Sequence, residues 1–190
     1  MRFEITFDYL CPFARNANEA VVEGLRQARD WDVVFRPFSL AQAHVEEGEP
    51  SVFDDTTKSG ILALQWGIAI RDNDPDVFPA AHLALFAARH DDGLDISDES
   101  VIRSALSGTG VDIEAIAEIV ASGVPAKTLA SEHTEAVDRW EVFGVPTFIQ
   151  DDVATFIRFM SRGDLDDLDR VLEMLDWQDL NEFKRTVVPR

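Results

Sequence analysis

The stretch Phe7-Asp8-Tyr9-Leu10-Cys11-Pro12-Phe13-Ala14 contains the only cysteine of this 190-residue chain. An alternating apolar run, Phe3, Ile5 and Phe7, stops just before the cysteine and predicts a strand. Helical spacing begins just after it, and proline is favoured in the first turn of a helix. The stretch therefore predicts a lone thiol between the end of a strand and the start of a helix, where unpaired backbone N–H groups favour a negative charge.

The first part of the chain has the pattern of a βαβ unit. Residues 2–7 form the predicted first strand, and a helix is predicted from Pro12 to about Ala28. Apolar residues alternate again over residues 31–35 and predict a second strand. A helix of this length between two strands favours parallel pairing with a right-handed crossover. Residues 41–53 are rich in glutamate and predict a loop.

The rest of the chain divides into a helical block and a second group of strands. From about Thr56 to Trp140, apolar residues recur at helical spacing in several successive segments. Strand-like runs return at residues 147–149 and 154–159, and Asp151-Asp152 between them predicts an antiparallel hairpin. Residues 165–175 predict an amphipathic helix.

The predicted order is thus β-α-β, a helical block, then β-β-α, which is an α/β architecture. If the helical block is an insertion, the two flanking parts make one small layered domain. We therefore predict an N-terminal half over residues 1–50, an inserted helical domain over 51–140 and a C-terminal half over 141–190.

Composition and charge limit the possible partners and the location. The chain carries 17 basic and 36 acidic residues, a net charge of −19, and such a surface repels nucleic acid and anionic lipid. No apolar run is long enough to span a membrane, and no signal-peptide pattern is present, so we expect a cytoplasmic protein. One cysteine excludes an internal disulfide and a multi-cysteine zinc site, and we predict no metal.

Three features of the chain resemble the DsbA-like branch of the thioredoxin superfamily. They are the stretch Phe7–Ala14, the segment Phe143-Gly144-Val145-Pro146-Thr147-Phe148, and the helical block between the two groups of strands. The resemblance implies a thioredoxin fold with a helical domain inserted between its halves. It also implies that the Val145–Pro146 bond is cis and lies against Cys11. Related branches are the kappa-class glutathione transferases and the 2-hydroxychromene-2-carboxylate isomerases, which place a serine where Cys11 stands and use a thiol cofactor.

The resemblance also assigns the residues of the site. Cys11 is the predicted nucleophile, because the strand–Cys-Pro–helix setting favours a reactive thiol. In the redox motif Cys-x-x-Cys the second cysteine would occupy position 14, which is alanine here. Cycling of an internal dithiol is therefore not expected, whereas a mixed disulfide with another thiol is. The predicted substrate-binding residues are Pro12, Phe13, Ala14, Val145 and Pro146.

Apart from the start of the helix, the sequence around Cys11 contains no group that would stabilise a thiolate. Phe13 supplies no cation, so we expect backbone N–H groups to lower the pKa of Cys11 only modestly below about 8.5. His82 lies among alanines and leucines and has the surroundings of a structural histidine.

The sequence therefore predicts a thiol–disulfide oxidoreductase that works through one thiol. Its partner would be a low-molecular-weight thiol, used as a cofactor or co-substrate, or a protein disulfide, and the protein would be a monomer or a homodimer. One alternative is a transferase or isomerase of the kappa or 2-hydroxychromene-2-carboxylate type, in which Cys11 activates a thiol cofactor. Another is a non-enzymatic binding module on the same fold.

Overall fold

The computed structural model describes residues 1–46, 48–177 and 179, and a four-stranded sheet lies at its centre. The strands are β1 (Arg2–Phe7), β2 (Asp32–Pro37), β3 (Thr147–Gln150) and β4 (Val153–Phe156). Their order across the sheet is β2-β1-β3-β4. β1 is parallel to β2 and antiparallel to β3, and β3 is antiparallel to β4. The βαβ unit and the later hairpin are both confirmed.

Eight helices complete the described part of the chain. The first two are α1 (Pro12–Arg26) and the short α2 (Leu40–Ala43). Five more follow between β2 and β3, namely α3 (Ile61–Asn73), α4 (Phe78–His90), α5 (Glu99–Leu106), α6 (Ile113–Ala121) and α7 (Val124–Trp140). After β4 comes α8 (Leu165–Met174). The predicted α/β class, a thioredoxin fold interrupted by helices, is confirmed.

The centre of the core lies between β1 and α1. Phe3, Ile5 and Phe7 are at most 1% exposed, and each contributes about 1.5–3 kcal/mol of transfer free energy. α1 presents Ala14 and Ala17 to the interior, and such small residues let a helix approach the sheet closely. The end of β1 and the start of α1 are therefore held rigidly, and the turn between them is fixed by two packed elements.

Ion pairs attach the inserted helices to the sheet. Arg36 on β2 donates to Glu4 on β1 at 2.6 Å and to Glu135 on α7 at 2.8 Å. Arg71 on α3 donates to the Phe35 carbonyl at 2.8 Å. These arginines are mostly buried, so their charges are shielded from water better than those of surface pairs. They hold α3 and α7 against the outer strand of the sheet.

Several element boundaries differ from the sequence prediction, and three of the differences concern α1, α2 and β4. α1 ends at Arg26 instead of Ala28, because Ala28 adopts a left-handed φ of 56°. The predicted loop 41–53 begins inside α2, whose N-cap is the Ser39 hydroxyl. β4 ends at Phe156, and residues 157–159 of the predicted strand leave the sheet.

The domain boundaries at 50 and 140 stay predictions. Glu47, in the predicted loop, and residues 178 and 180–190 of the predicted C-terminal half lie outside the described residues. None of the helices in the described ranges has the length and hydropathy needed to cross a bilayer.

Candidate active site

Cys11 is the N-cap residue of α1, because β1 ends at Phe7 and a short turn leads directly into the helix. The Cys11 N–H donates to the Asp8 carbonyl at 3.0 Å and closes this turn. Pro12 follows in the first turn of the helix. The Ala14 N–H donates to Cys11 Sγ at 3.4 Å. One of the N–H groups that a helix start leaves unpaired thus points at the sulfur.

The loop before β3 lies directly against the thiol. The Val145–Pro146 peptide bond is cis. Cys11 Sγ donates to the Val145 carbonyl at 3.3 Å, although the two residues are 134 positions apart. The Thr147 N–H donates to Thr6 Oγ1 at 2.8 Å, which fixes the loop beside β1. Among the described residues, no acceptor engages the Val145 N–H.

The pKa of Cys11 contradicts the expectation of an activated thiolate. Cys11 is only 8% exposed, and this burial raises the pKa of its thiol above the ordinary value. The N–H groups of Ala14 and Phe13 act in the opposite direction but are outweighed. The loss of water around the sulfur is therefore the larger effect. The contact with the Val145 carbonyl also needs the protonated form, since only S–H can donate.

A buried carboxyl group lies beside the thiol, and sequence reasoning did not assign it. Asp8 is 1% exposed, and burial raises the pKa of its carboxyl from 3.8 to about 6. It accepts the Leu10 N–H at 2.9 Å and the Leu40 N–H at 2.7 Å, which partly offset that rise. The charge on Asp8 further raises the pKa of Cys11. Asp8 thus joins the turn before Cys11 to the start of α2.

A cation also approaches the site, contrary to the expectation that none would. The Arg158 guanidinium carbon lies 5.5 Å from the ring centroid of Phe13 and 5.9 Å from that of Phe156. Its positive charge lowers the pKa of Cys11, although less than burial raises it. The sequence pattern does not indicate it, because residues 154–159 predict a regular strand. The early end of β4 instead frees residues 157–159 to approach α1.

A buried hydrogen-bond chain supports the first turn of α1. Asn18 Nδ2 donates to the Ala14 carbonyl at 2.8 Å, so Asn18 Oδ1 is left to accept from His82 Nε2 at 3.0 Å. His82 Nδ1 then accepts the Tyr9 hydroxyl at 2.9 Å. Burial lowers the pKa of His82 to about 3, which keeps the ring neutral. His82 is therefore a structural histidine that fixes the helix carrying Cys11.

The predicted site residues differ in their exposure, and therefore in how accessible they are to a ligand. Pro12 is exposed and Phe13 is half-buried, whereas Ala14, Val145 and Pro146 are buried around the sulfur. Asp8 is recognisable in the sequence only as an acid at the end of an apolar strand. Its burial depends on the later residues near Leu40 and Gly60 that cover it. The site can form one covalent bond through sulfur, and it offers the backbone N–H of Val145 and one nearby cation.

Solved structures share the fold at low sequence identity. A 2-hydroxychromene-2-carboxylate isomerase is 20% identical, with a TM-score of 0.66 over 94% of this chain and 98% of the other. The cytosolic disulfide reductase DsbM from Pseudomonas aeruginosa, solved with GSH, is 17% identical, with a TM-score of 0.65 over 92% and 98%. Oxidised BdbD from Bacillus subtilis is 16% identical, with a TM-score of 0.63 over 92% and 86%.

The family assignment comes from the sequence itself. No curated protein matches the chain. The family model described as "DSBA-like thioredoxin domain" matches residues 3–175, which include both sides of the Cys11 site and all the inserted helices. The chain therefore belongs to the DSBA-like thioredoxin domain family.

Proposed function

We propose that this protein is a thiol–disulfide oxidoreductase that works through the single thiol of Cys11 and in the reducing direction. The observation that carries the proposal is the contact between Cys11 Sγ and the Val145 carbonyl before the cis proline. The start of α1 and this loop meet at one sulfur, which is the arrangement that the resemblance to the DsbA-like branch implies for the active-site cysteine. The family membership supports the same class of chemistry.

The proposed reaction has two exchange steps. The Cys11 thiolate attacks one sulfur of a disulfide, a new S–S bond forms to Cys11, and the other half leaves as a thiolate that takes up a proton. A low-molecular-weight thiolate then attacks the outer sulfur of this mixed disulfide. That step forms a new disulfide and returns Cys11 as a thiolate. The external thiol is the reductant, because alanine occupies position 14 and no second cysteine is available.

The raised pKa of Cys11 supports the reducing direction. A thioredoxin-fold oxidant is strong when its reduced thiolate is stabilised, because the thiolate is then a good leaving group. Burial destabilises the Cys11 thiolate, and this thiolate is therefore a poor leaving group. The same burial leaves little thiolate at neutral pH, so the attack by Cys11 is slow. Because Cys11 is a poor leaving group, the mixed disulfide is long-lived once formed, and its release requires excess external thiol.

The substrate would be a small disulfide or an extended segment of a protein disulfide. The Val145 N–H has no acceptor among the described residues, and it belongs to the residue whose carbonyl contacts the sulfur. A substrate carbonyl could pair with it as in strand addition. The proposal includes a reducing compartment such as the cytoplasm, because the cycle consumes free thiols.

The test is the reduction of hydroxyethyl disulfide by excess glutathione, with and without the protein. We expect a rate proportional to protein concentration, and complete loss of that rate in both Cys11→Ser and Cys11→Ala. No acceleration by the native protein, or an undiminished rate in Cys11→Ala, would contradict the proposal.

A second candidate function is a thiol-cofactor-dependent isomerase. It is favoured by the protonated state of Cys11, whose S–H can donate a hydrogen bond as a serine hydroxyl does. The cofactor thiol would supply the nucleophile, while Cys11 would orient it. Cys11→Ser should then keep glutathione-dependent isomerisation of 2-hydroxychromene-2-carboxylate, and Cys11→Ala should lose it. Single-thiol exchange predicts loss of disulfide reduction in both variants, so the pair of substitutions separates the two functions.

A further inference from the structure

Arg158 differs from most arginines of this acidic protein. Arg15, Arg36 and Arg162 each pair with two carboxylates. In contrast, no carboxylate in the described part of the chain lies within ion-pair distance of Arg158. The chain has 36 acidic residues for 17 basic ones, so acidic partners are abundant. An exposed arginine left without one keeps its donors available to a ligand.

Aromatic rings hold this guanidinium against the first turn of α1, the helix that carries Cys11. It lies over Phe13 at 5.5 Å and over Phe156 at 5.9 Å. Phe143 packs on Phe156 with ring centroids 5.0 Å apart and is nevertheless 73% exposed. We call these three phenylalanines and Arg158 the aromatic strip. It connects the first turn of α1 with the loop before Pro146, the two segments that meet at Cys11.

The strip has the chemistry of an anion site with apolar walls. A guanidinium presents a planar set of N–H donors that matches a carboxylate, and ring faces limit its orientations. The exposed ring of Phe143 adds apolar surface that a ligand can cover. Because the net charge of −19 repels anions, an anionic ligand needs a local cation such as Arg158 in order to bind near Cys11.

We propose that Arg158 and the aromatic strip bind the carboxylate of the small disulfide that exchanges with Cys11, and so select carboxylate-bearing substrates. The selection rests on the proposed thiol exchange, whereas the binding does not. The effect of the Arg158 charge on the pKa of Cys11 supports their proximity. Phe13, two residues after Cys11, links the cation to the helix that carries the sulfur.

The first experiment measures binding without exchange. Dithiodipropionate, a dicarboxylate disulfide, is titrated into Cys11→Ser and into Cys11→Ser/Arg158→Gln, with two-dimensional NMR as the readout. We expect binding about threefold weaker without the guanidinium, the size expected for one exposed ion pair. The matched control is Arg170→Gln in the Cys11→Ser background. It removes the same charge from an exposed arginine on α8 and should leave the binding unchanged. Equal binding in all three proteins would overturn the proposal.

The second experiment measures selection during exchange in proteins that keep Cys11. Rates of adduct formation are compared for dithiodipropionate, neutral hydroxyethyl disulfide and cationic cystamine. Arg158→Gln should lower the ratio of the anionic to the neutral rate about threefold, and Arg170→Gln should not. The ratio cancels any change in the pKa of Cys11, because the thiolate fraction is common to both disulfides. If all disulfides react and the ratio is unchanged, the selection is refuted while the exchange function stands. If none reacts, the exchange function fails, and the binding titration alone decides whether the anion site exists.

Discussion

Replacing Asp8 by asparagine should remove a large pH dependence from the stability of this protein. Burial raises the pKa of Asp8 from 3.8 to about 6, and at about 1.4 kcal/mol per unit this corresponds to about 3 kcal/mol. The folded protein therefore holds a proton that the unfolded chain releases between about pH 4 and pH 6. A group of this kind stabilises the fold below pH 4 and loses that contribution as the pH rises to 6. The Asp8→Asn variant keeps a neutral side chain of the same shape at every pH.

The assay is urea unfolding of both proteins from pH 4 to pH 8. The difference in unfolding free energy, variant minus native, should rise by about 2.5 kcal/mol across this range, because part of the full effect is already lost at pH 4 and all other titrating groups cancel. The exposed acid Asp92 provides the control substitution Asp92→Asn. A difference that stays flat would refute the account of Asp8. A difference that falls would show that the hydrogen bonds from Leu10 and Leu40 outweigh burial.

Three further predictions concern the thiol and its support. Cys11 should alkylate more slowly than free cysteine at neutral pH, because burial raises its pKa, and Asp8→Asn should speed the reaction by removing a nearby negative charge. A pH–rate profile with iodoacetamide on both proteins checks this. A native midpoint below that of free cysteine would contradict the first expectation, and an unchanged midpoint in Asp8→Asn would contradict the second. Ala14→Cys should form an internal disulfide under mild oxidant, since position 14 lies one turn from Cys11 and its N–H already contacts the sulfur. If mass spectrometry instead finds two free thiols, the geometry of the helix start does not permit this disulfide. His82→Phe should destabilise the protein by about 2–4 kcal/mol, because the Tyr9 hydroxyl and the Asn18 amide lose their buried partner. Urea unfolding measures this loss. A change below about 1 kcal/mol would mean that the hydrogen-bond chain contributes little to stability.

The sequence predicted the elements whose patterns are local. Alternation over residues 2–7 and helical spacing after Pro12 were sufficient for β1 and α1, because both elements bury one regular face. Boundaries set by backbone geometry were less accurate. The left-handed Ala28, for example, ends α1 early, and nothing in its residue type indicates that conformation.

The electrostatics of the site could not be predicted in the same way. The expectation for Cys11 considered only the helix start, which lowers the pKa of a thiol. Burial of the sulfur depends on tertiary packing, including the loop at Val145, more than a hundred residues away in the chain. Arg158 acts on Cys11 for the same reason, because long-range folding brings it near the site. Asp8 is close to Cys11 in the sequence, but its burial depends on the later residues near Leu40 and Gly60. The residues adjacent to Cys11 in the sequence therefore identify the nucleophile. Much of the packing and charge that sets its pKa comes from residues far away in the chain.

The central claim is that Cys11 forms a reversible mixed disulfide in the folded protein. Intact mass after incubating the reduced native protein with hydroxyethyl disulfide tests it directly, since the chain has one cysteine. We expect a single adduct on the native protein, its release by excess thiol, and no adduct on Cys11→Ser. An unmodified native protein, together with an adduct on the same protein unfolded in urea, would show instead that Cys11 is an inert buried thiol.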